Sequence, residues 1–135
     1  DEPWDSENNK KILDKMPQVY RNPSAGNTGN NPDYFGLTGP STGLGEGSGE
    51  AIRSFKDGTS NTILVIDADR EIPWTKPEDI PFDPEKELPK FGGHHPNGFV
   101  AVLADGSVRF IAQTVDKTTL KALLTRDGGE IIPQF

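Results

Sequence analysis

The chain has no cysteine. That excludes a disulfide framework, a thiolate zinc site and a cysteine nucleophile. It does not identify the compartment, because oxidising and reducing surroundings both tolerate a cysteine-free chain. Histidine is nearly as scarce: the only two, His94 and His95, are adjacent. Basic residues number 14 against 21 acids, giving a formal net charge of −7 and a pI near 4.7. A surface of that sign is repelled by phosphate backbones, which argues against nucleic acid as a partner. No apolar run approaches the length of a membrane span, and no signal peptide opens the chain at "DEPWDS". The abrupt start reads like the middle of a longer protein.

What is present is punctuation. The 135 residues include 15 glycines and 12 prolines, while 32% are hydrophobic and 8% aromatic. That suits one loop-rich domain, residues 1–135, with a modest core. Ser6 can cap a short helix over "ENNKKILDKM", which Pro17 stops. "VYRNPSAGNTGNNPDYFGLTGPSTGLGEGSGE" has no sustained periodicity and reads as long loop around a strand at Tyr34–Leu37. In "KDGTSNTILVIDA", Asp57-Gly58 followed by Thr59, Ser60 and Asn61 is turn chemistry. Thr62–Ala68 is then a β-branched, nearly continuous apolar run and predicts a central strand. Five prolines between Ile72 and Pro89 forbid regular helix or central strand there. That stretch is expected to cross the fold in extended form, pinned by Trp74, Ile80 and Phe82.

The most patterned segment is "FGGHHPNGFVAVLADGSVRFIAQ". Asp105-Gly106 between apolar alternations predicts a two-residue type I′ hairpin joining Phe99–Ala104 to Ser107–Ala112. In that register paired residue numbers sum to 211. Phe99, Ala101 and Leu103 then share a core face with Val108, Phe110 and Ala112. Asp116 caps a last helix over "KTTLKALLTR", with Leu120, Leu123 and Leu124 as its apolar stripe and Val115 stapled onto Leu120. Leu103, Phe110 and the three leucines are expected to be buried, and Phe99 largely so. The fold class that follows is α+β: an antiparallel sheet with a C-terminal helix packed on it.

His95, nine further residues and Asp105-Gly106 resemble the H-x9-DG signature of a bacterial family. That family is called prepilin-type-processing-associated, carries an older solute-binding-like label, and is expanded in planctomycete-type bacteria. "KDGTSNTILVIDA" resembles its second motif, and "DEPWDSENNKKILDKMPQVYRNPS" and "IPWTKPEDI" resemble its middle segments. The resemblance marks His95, Asp105, Gly106, Asp57, Gly58, Ser60 and Asn61 as its structural signature. It implies a pseudopilin-like globular domain in the periplasm or at the cell surface, following a leader and one hydrophobic helix that lie outside this chain. It also implies a cysteine at the position of Asn22, paired with an upstream cysteine; here that tie cannot exist. No catalytic residue comes with the resemblance.

Each candidate site has a plainer structural reading. His94 and His95 are candidate metal ligands, but two imidazoles leave a site incomplete, and chain neighbours often point apart. Asp105 cannot complete it, because ten extended residues span roughly 30 Å. The register instead sets His95 level with Asp116, predicting a His–Asp contact that anchors loop to helix. Asp67, Asp69 and Glu71 alternate in "DADRE" and could help hold Ca²⁺, as in some pseudopilins; without EF-hand spacing they read first as a solvated strand end. Ser60 lacks a nucleophile elbow, and "GLGEGSGE" lacks the Lys-Ser/Thr of a phosphate loop. Trp4, Tyr20, Tyr34, Phe35 and Trp74 form the most credible ligand surface, a platform on which a sugar could stack.

The expected function is a non-catalytic pilin- or pseudopilin-like subunit of type II secretion or type IV pilus character. Its expected partners are the upstream part of its own chain and other pilin-like subunits, with membrane contact only through that upstream helix. No cofactor is required. The alternative is an extracellular polysaccharide- or solute-binding module.

Overall fold

The computed structural model describes residues 1–26 and 28–135. Tyr34–Thr38 forms β1 and Ile63–Asp67 forms β2. A two-residue strand, Ile80–Pro81 (β3), lies within the proline-rich crossing. Gly98–Leu103 (β4) and Val108–Ala112 (β5) make the hairpin, and Lys117–Leu124 is the one α-helix among the described residues, α1. The sheet order is β3-β1-β2-β4-β5. The α+β class holds.

The sheet is mixed rather than antiparallel. β1–β2, β2–β4 and β4–β5 pair antiparallel, but β3 runs parallel to β1, with Leu37 opposite Ile80 and Thr38 opposite Pro81. The chain after β2 passes β1 and lies down on its far side. Proline is tolerated there because an edge strand needs no outward N–H. Phe82 continues the ladder, its N–H donating to the Thr38 carbonyl at 2.8 Å. Ile80 and Phe82 are buried, as expected of residues that pin the crossing.

α1 begins where the sequence places it. The Asp116 carboxylate accepts from the Thr118 and Thr119 amides at 3.0 and 2.9 Å. The helix stops at Leu124, short of Arg126, because Arg126 is claimed by the 40–42 loop. Its guanidinium donates to the Pro40 and Thr42 carbonyls, each at 2.7 Å. Leu120, Leu123 and Leu124 pack with Phe35, Leu37, Ile63, Ile66, Phe99 and Leu103 in a single core. The "ENNKKILDKM" stretch is a 3-10 helix, Asn9–Lys15, with no buried residue. It has too few apolar side chains to build a helix face. Its N-cap is Asn8, which makes no side-chain cap bond; the Ser6 hydroxyl, two residues before that cap, accepts from the Asn9 amide at 3.1 Å.

The hairpin corrects the predicted register. Gly106 N–H donates to the Leu103 carbonyl and Leu103 N–H to the Ser107 carbonyl, both at 2.9 Å. Only Gly106 has positive φ, +84°. This is a three-residue loop, Ala104 to Gly106: a type I turn followed by a glycine bulge, not a type I′ turn. Asp105 favours it, since its carboxylate accepts from the Ser107 amide at 2.9 Å and hydroxyl at 2.6 Å. Phe99 therefore faces Ile111, Val100 faces Phe110 and Val102 faces Val108, so paired numbers sum to 210. A slip of one residue turns every β5 side chain over. Ile111 is the buried residue, at 1% exposure, while Phe110 and Val108 are 52% and 65% exposed. The expected burial of Phe110 and the core-face placement of Val108 and Ala112 are wrong. Phe110 instead lies over Gly98, where a methyl group would overlap both its ring and the Ile111 carbonyl.

Candidate functional site

The two halves of the H-x9-DG signature sit at opposite ends of β4, as the span argument requires. At the turn end, three Asp-Gly or Gly-Gly steps meet. The Asp57 carboxylate accepts from the Gly128 and Gly129 amides, each at 2.8 Å. Asp105 N–H donates to the Thr59 carbonyl at 3.1 Å and Ala104 N–H to the Thr62 carbonyl at 2.8 Å. Asn61 donates from its amide to the Asp57 carbonyl at 2.9 Å. Ser60 is exposed on the Thr59–Asn61 3-10 turn, at the end of β4 away from both histidines. The "DGTSNT" motif is thus a clamp that holds the hairpin turn to the chain following α1.

The histidine end is a buried polar cluster built from four separated segments. Asp33 precedes β1 and Asp67 ends β2. The β1–β2 register sets Tyr34 opposite Asp67, which brings the two acids close. Asp33 and Asp67 are 2% and 0% exposed. His94 Nε2 lies 3.3 Å from Asp33 Oδ1, close enough for an ion pair but too far off line for a hydrogen bond. His95 Nε2 lies 3.8 Å from Asp67 Oδ2. The other Asp67 oxygen accepts from the Val100 amide at 2.8 Å. The predicted His95–Asp116 contact is absent. Asp116 is occupied by its cap, and His95, turned back in an antiparallel bridge with Gly98, approaches Asp67 instead.

Asn22 joins these groups. Its backbone N–H donates to Asp33 Oδ2 at 2.8 Å, and its Oδ1 accepts from the Ser24 amide at 2.9 Å. The second bond fixes which way the amide faces. Nδ2 then donates to Asp67 Oδ2 at 3.3 Å and meets His95 Nε2 at 3.0 Å. Facing a donor, Nε2 is the acceptor in the tautomer that carries its proton on Nδ1. Burial pushes the Asp67 carboxyl above its ordinary value, against the opposing pull of the Val100 amide, both histidines and Asn22. Burial, then Asp67 and Asp33, push the Tyr34 hydroxyl up as well.

The structure brings together some metal candidates and separates others. Asp67 is buried, whereas Asp69 and Glu71 are exposed beyond the end of β2. His94 and His95 go to different carboxylates. Among the described residues, no group of three or more His, Asp or Glu side chains is arranged to hold a metal ion. The sequence reading missed Asp33 as a partner. The available signal was an acid immediately before one apolar strand and another at the end of the next, which antiparallel pairing sets side by side.

Two cavities flank the cluster. A groove of about 460 Å³ runs past His95 between the proline-rich crossing, the hairpin foot and the start of α1. A smaller cleft of about 160 Å³ is lined by Tyr20, Tyr34, Phe35 and Trp74. Tyr20 and Trp74 stack with centroids 6.0 Å apart, and Trp74 Nε1 donates to the Leu13 carbonyl at 2.9 Å. Four of the five platform aromatics therefore converge; Trp4 does not line this cleft. No helix is long and apolar enough to cross a membrane among the described residues. No curated protein and no solved structure matches the chain. Residues 67–118, from Asp67 through both histidines and the hairpin into the first turn of α1, match a family described as a protein of unknown function (DUF1559).

Proposed function

We propose that the domain is a non-catalytic, pilin- or pseudopilin-like subunit of a bacterial secretion or surface-fibre system, placed in the periplasm or at the cell surface. One observation carries this reading: the sheet face away from α1 is apolar and only partly covered. Val65 pairs with Val102, Val102 with Val108 and Val100 with Phe110. Val108 and Phe110 are exposed and the other three only half-buried. An upstream hydrophobic helix of the same protein, or a neighbouring subunit, would cover that face. Residues 1–135 hold no native thiol to compete with an introduced one, and any upstream cysteine is replaced by serine for the test. In the full-length protein in its native envelope, a thiol introduced by Phe110→Cys should resist maleimide labelling, while Ile52→Cys, at an 80% exposed position, should label fully. Equal labelling of both would overturn the reading. So would turnover by the purified domain that His95→Ala abolishes.

A second reading, a polysaccharide-binding module, is favoured by the Tyr20–Trp74 stack beside the carboxylates of Glu78 and Asp79. A glycan array probed with the wild type and Tyr20→Ala tests it: loss of signal in the variant supports this reading, and no signal in the wild type ends it.

A further inference from the structure

We propose that the groove at the hairpin foot binds a small amphiphilic carboxylate, an acid with an aliphatic or aryl body. This goes beyond the subunit reading and does not depend on it. The groove, about 460 Å³, is walled by Leu88, Phe91, Phe99, Val115 and Leu120. These come from the proline-rich crossing, β4 and the approach to α1, so the tertiary fold alone creates it. Its volume lies within the range of about 300–1,000 Å³ typical of small-ligand sites. An apolar body of matching size would leave water for a largely preformed surface.

The polar rim selects the head group. The chain has 21 acids, yet no carboxylate lines this groove. Asp116, beside Lys117, accepts from two amides and the Thr119 hydroxyl in its cap. The polar side chains that do line the groove are His95, Gln113 and Lys117. His95 Nε2 already accepts from Asn22, so its ring presents the Nδ1–H donor, which has no partner among the described residues. The Gln113 side-chain amide and the Lys117 ammonium likewise make no hydrogen bond or ion pair among the described residues, while the Gln113 backbone N–H donates to the Asn97 carbonyl at 2.7 Å. The Lys117 cation and two side chains that offer N–H donors suit a monoanion with two acceptor oxygens. Glu85 and Glu87 line the adjoining cavity that Lys117 also borders, but neither lines this groove.

The test uses the purified protein with octanoate and 3-phenylpropanoate as probes, against 1-octanol and 3-phenyl-1-propanol as neutral counterparts. Binding is read by titration calorimetry and by NMR shifts at low ionic strength. The acids should bind about tenfold more tightly than the alcohols. Shifts should centre on Gln113, Val115, Lys117, Leu120 and the His95 ring, leaving Tyr20 and Ile52 unmoved. Lys117→Gln should weaken the acids roughly two- to fivefold and leave the alcohols unchanged, as expected for one rim charge. Gln113→Glu, which sets a carboxylate at the rim, should weaken the acids by a similar factor. Equal affinity for acids and alcohols, shifts centred elsewhere, or no binding by any probe at millimolar concentration would each overturn the proposal.

Discussion

Asn22 is a junction that ties the chain before β1 to the hairpin foot. One side chain satisfies a buried carboxylate and fixes an imidazole tautomer, while its backbone reaches the second acid. Asn22→Ala should destabilise the domain by about 2–3 kcal/mol, because the buried Asp67 oxygen then loses its donor. Denaturant unfolding measures this, and a loss below about 0.5 kcal/mol would show that the junction is dispensable. Asp67 makes a prediction with a definite sign. Its folded-state pKa is raised above 3.8, chiefly by burial. Between 3.8 and that higher value the folded chain holds more protons than the unfolded one, so stability falls as pH rises through the window. Asp83, Asp105 and Asp116 are depressed, mainly by hydrogen bonds, and their window lies below 3.8, where stability rises with pH. The difference in unfolding free energy between the wild type and Asp67→Asn should therefore shift against the wild type as pH climbs above 3.8. A difference that stays constant with pH would contradict the burial argument. Local patterns mark His95 and Asp67 only as separate candidates. Nothing in either local pattern announced that they would meet.

At the scale of elements, the hairpin shows how much rests on one residue of loop length. A type I turn with a glycine bulge needs left-handed backbone at Gly106 alone. Gly106→Val should cost about 1–3 kcal/mol, since a β-branched side chain is strained at that φ. Asp105→Asn should lie within about 0.5 kcal/mol of wild type, because an amide oxygen still accepts from Ser107 at an exposed site. Thermal unfolding of both variants checks the pair, and a large loss for Asp105→Asn would show a role beyond the turn. Leu123, fully buried under the sheet, should lose about 2–5 kcal/mol on substitution by alanine. A loss below 1 kcal/mol would mean that α1 packs loosely.

At the scale of the whole molecule, the two faces of the sheet differ in what covers them. One carries α1 and the core; the other leaves Val108 and Phe110 exposed on the edge strand β5. Edge strands with exposed apolar side chains favour association between chains. Residues 1–135 should therefore self-associate with rising concentration in sedimentation velocity, and Phe110→Ser should suppress this. The variant should also lose about 1 kcal/mol, since the ring no longer covers Gly98. A wild type that stays monomeric at millimolar concentration would remove the association argument.

The elements were legible because their signals are local. Alternation and β-branching mark β1, β2 and the hairpin arms, proline marks the crossing, and Asp116 with its leucine stripe marks α1. The turn at Asp57-Gly58 and the separation of the two signature halves were also legible locally, whereas the bonds from Gly128 and Gly129 to the Asp57 carboxylate were not. Three features were decided only by the tertiary structure. The parallel edge strand β3 depends on where the crossing segment lands, which backbone propensity does not encode. The β5 face depends on one residue of loop length, and both turn types accept Asp-Gly. The Asn22–Asp33–Asp67–His94–His95 cluster unites residues up to 73 positions apart, and only strand pairing and the closing of loops bring such partners together.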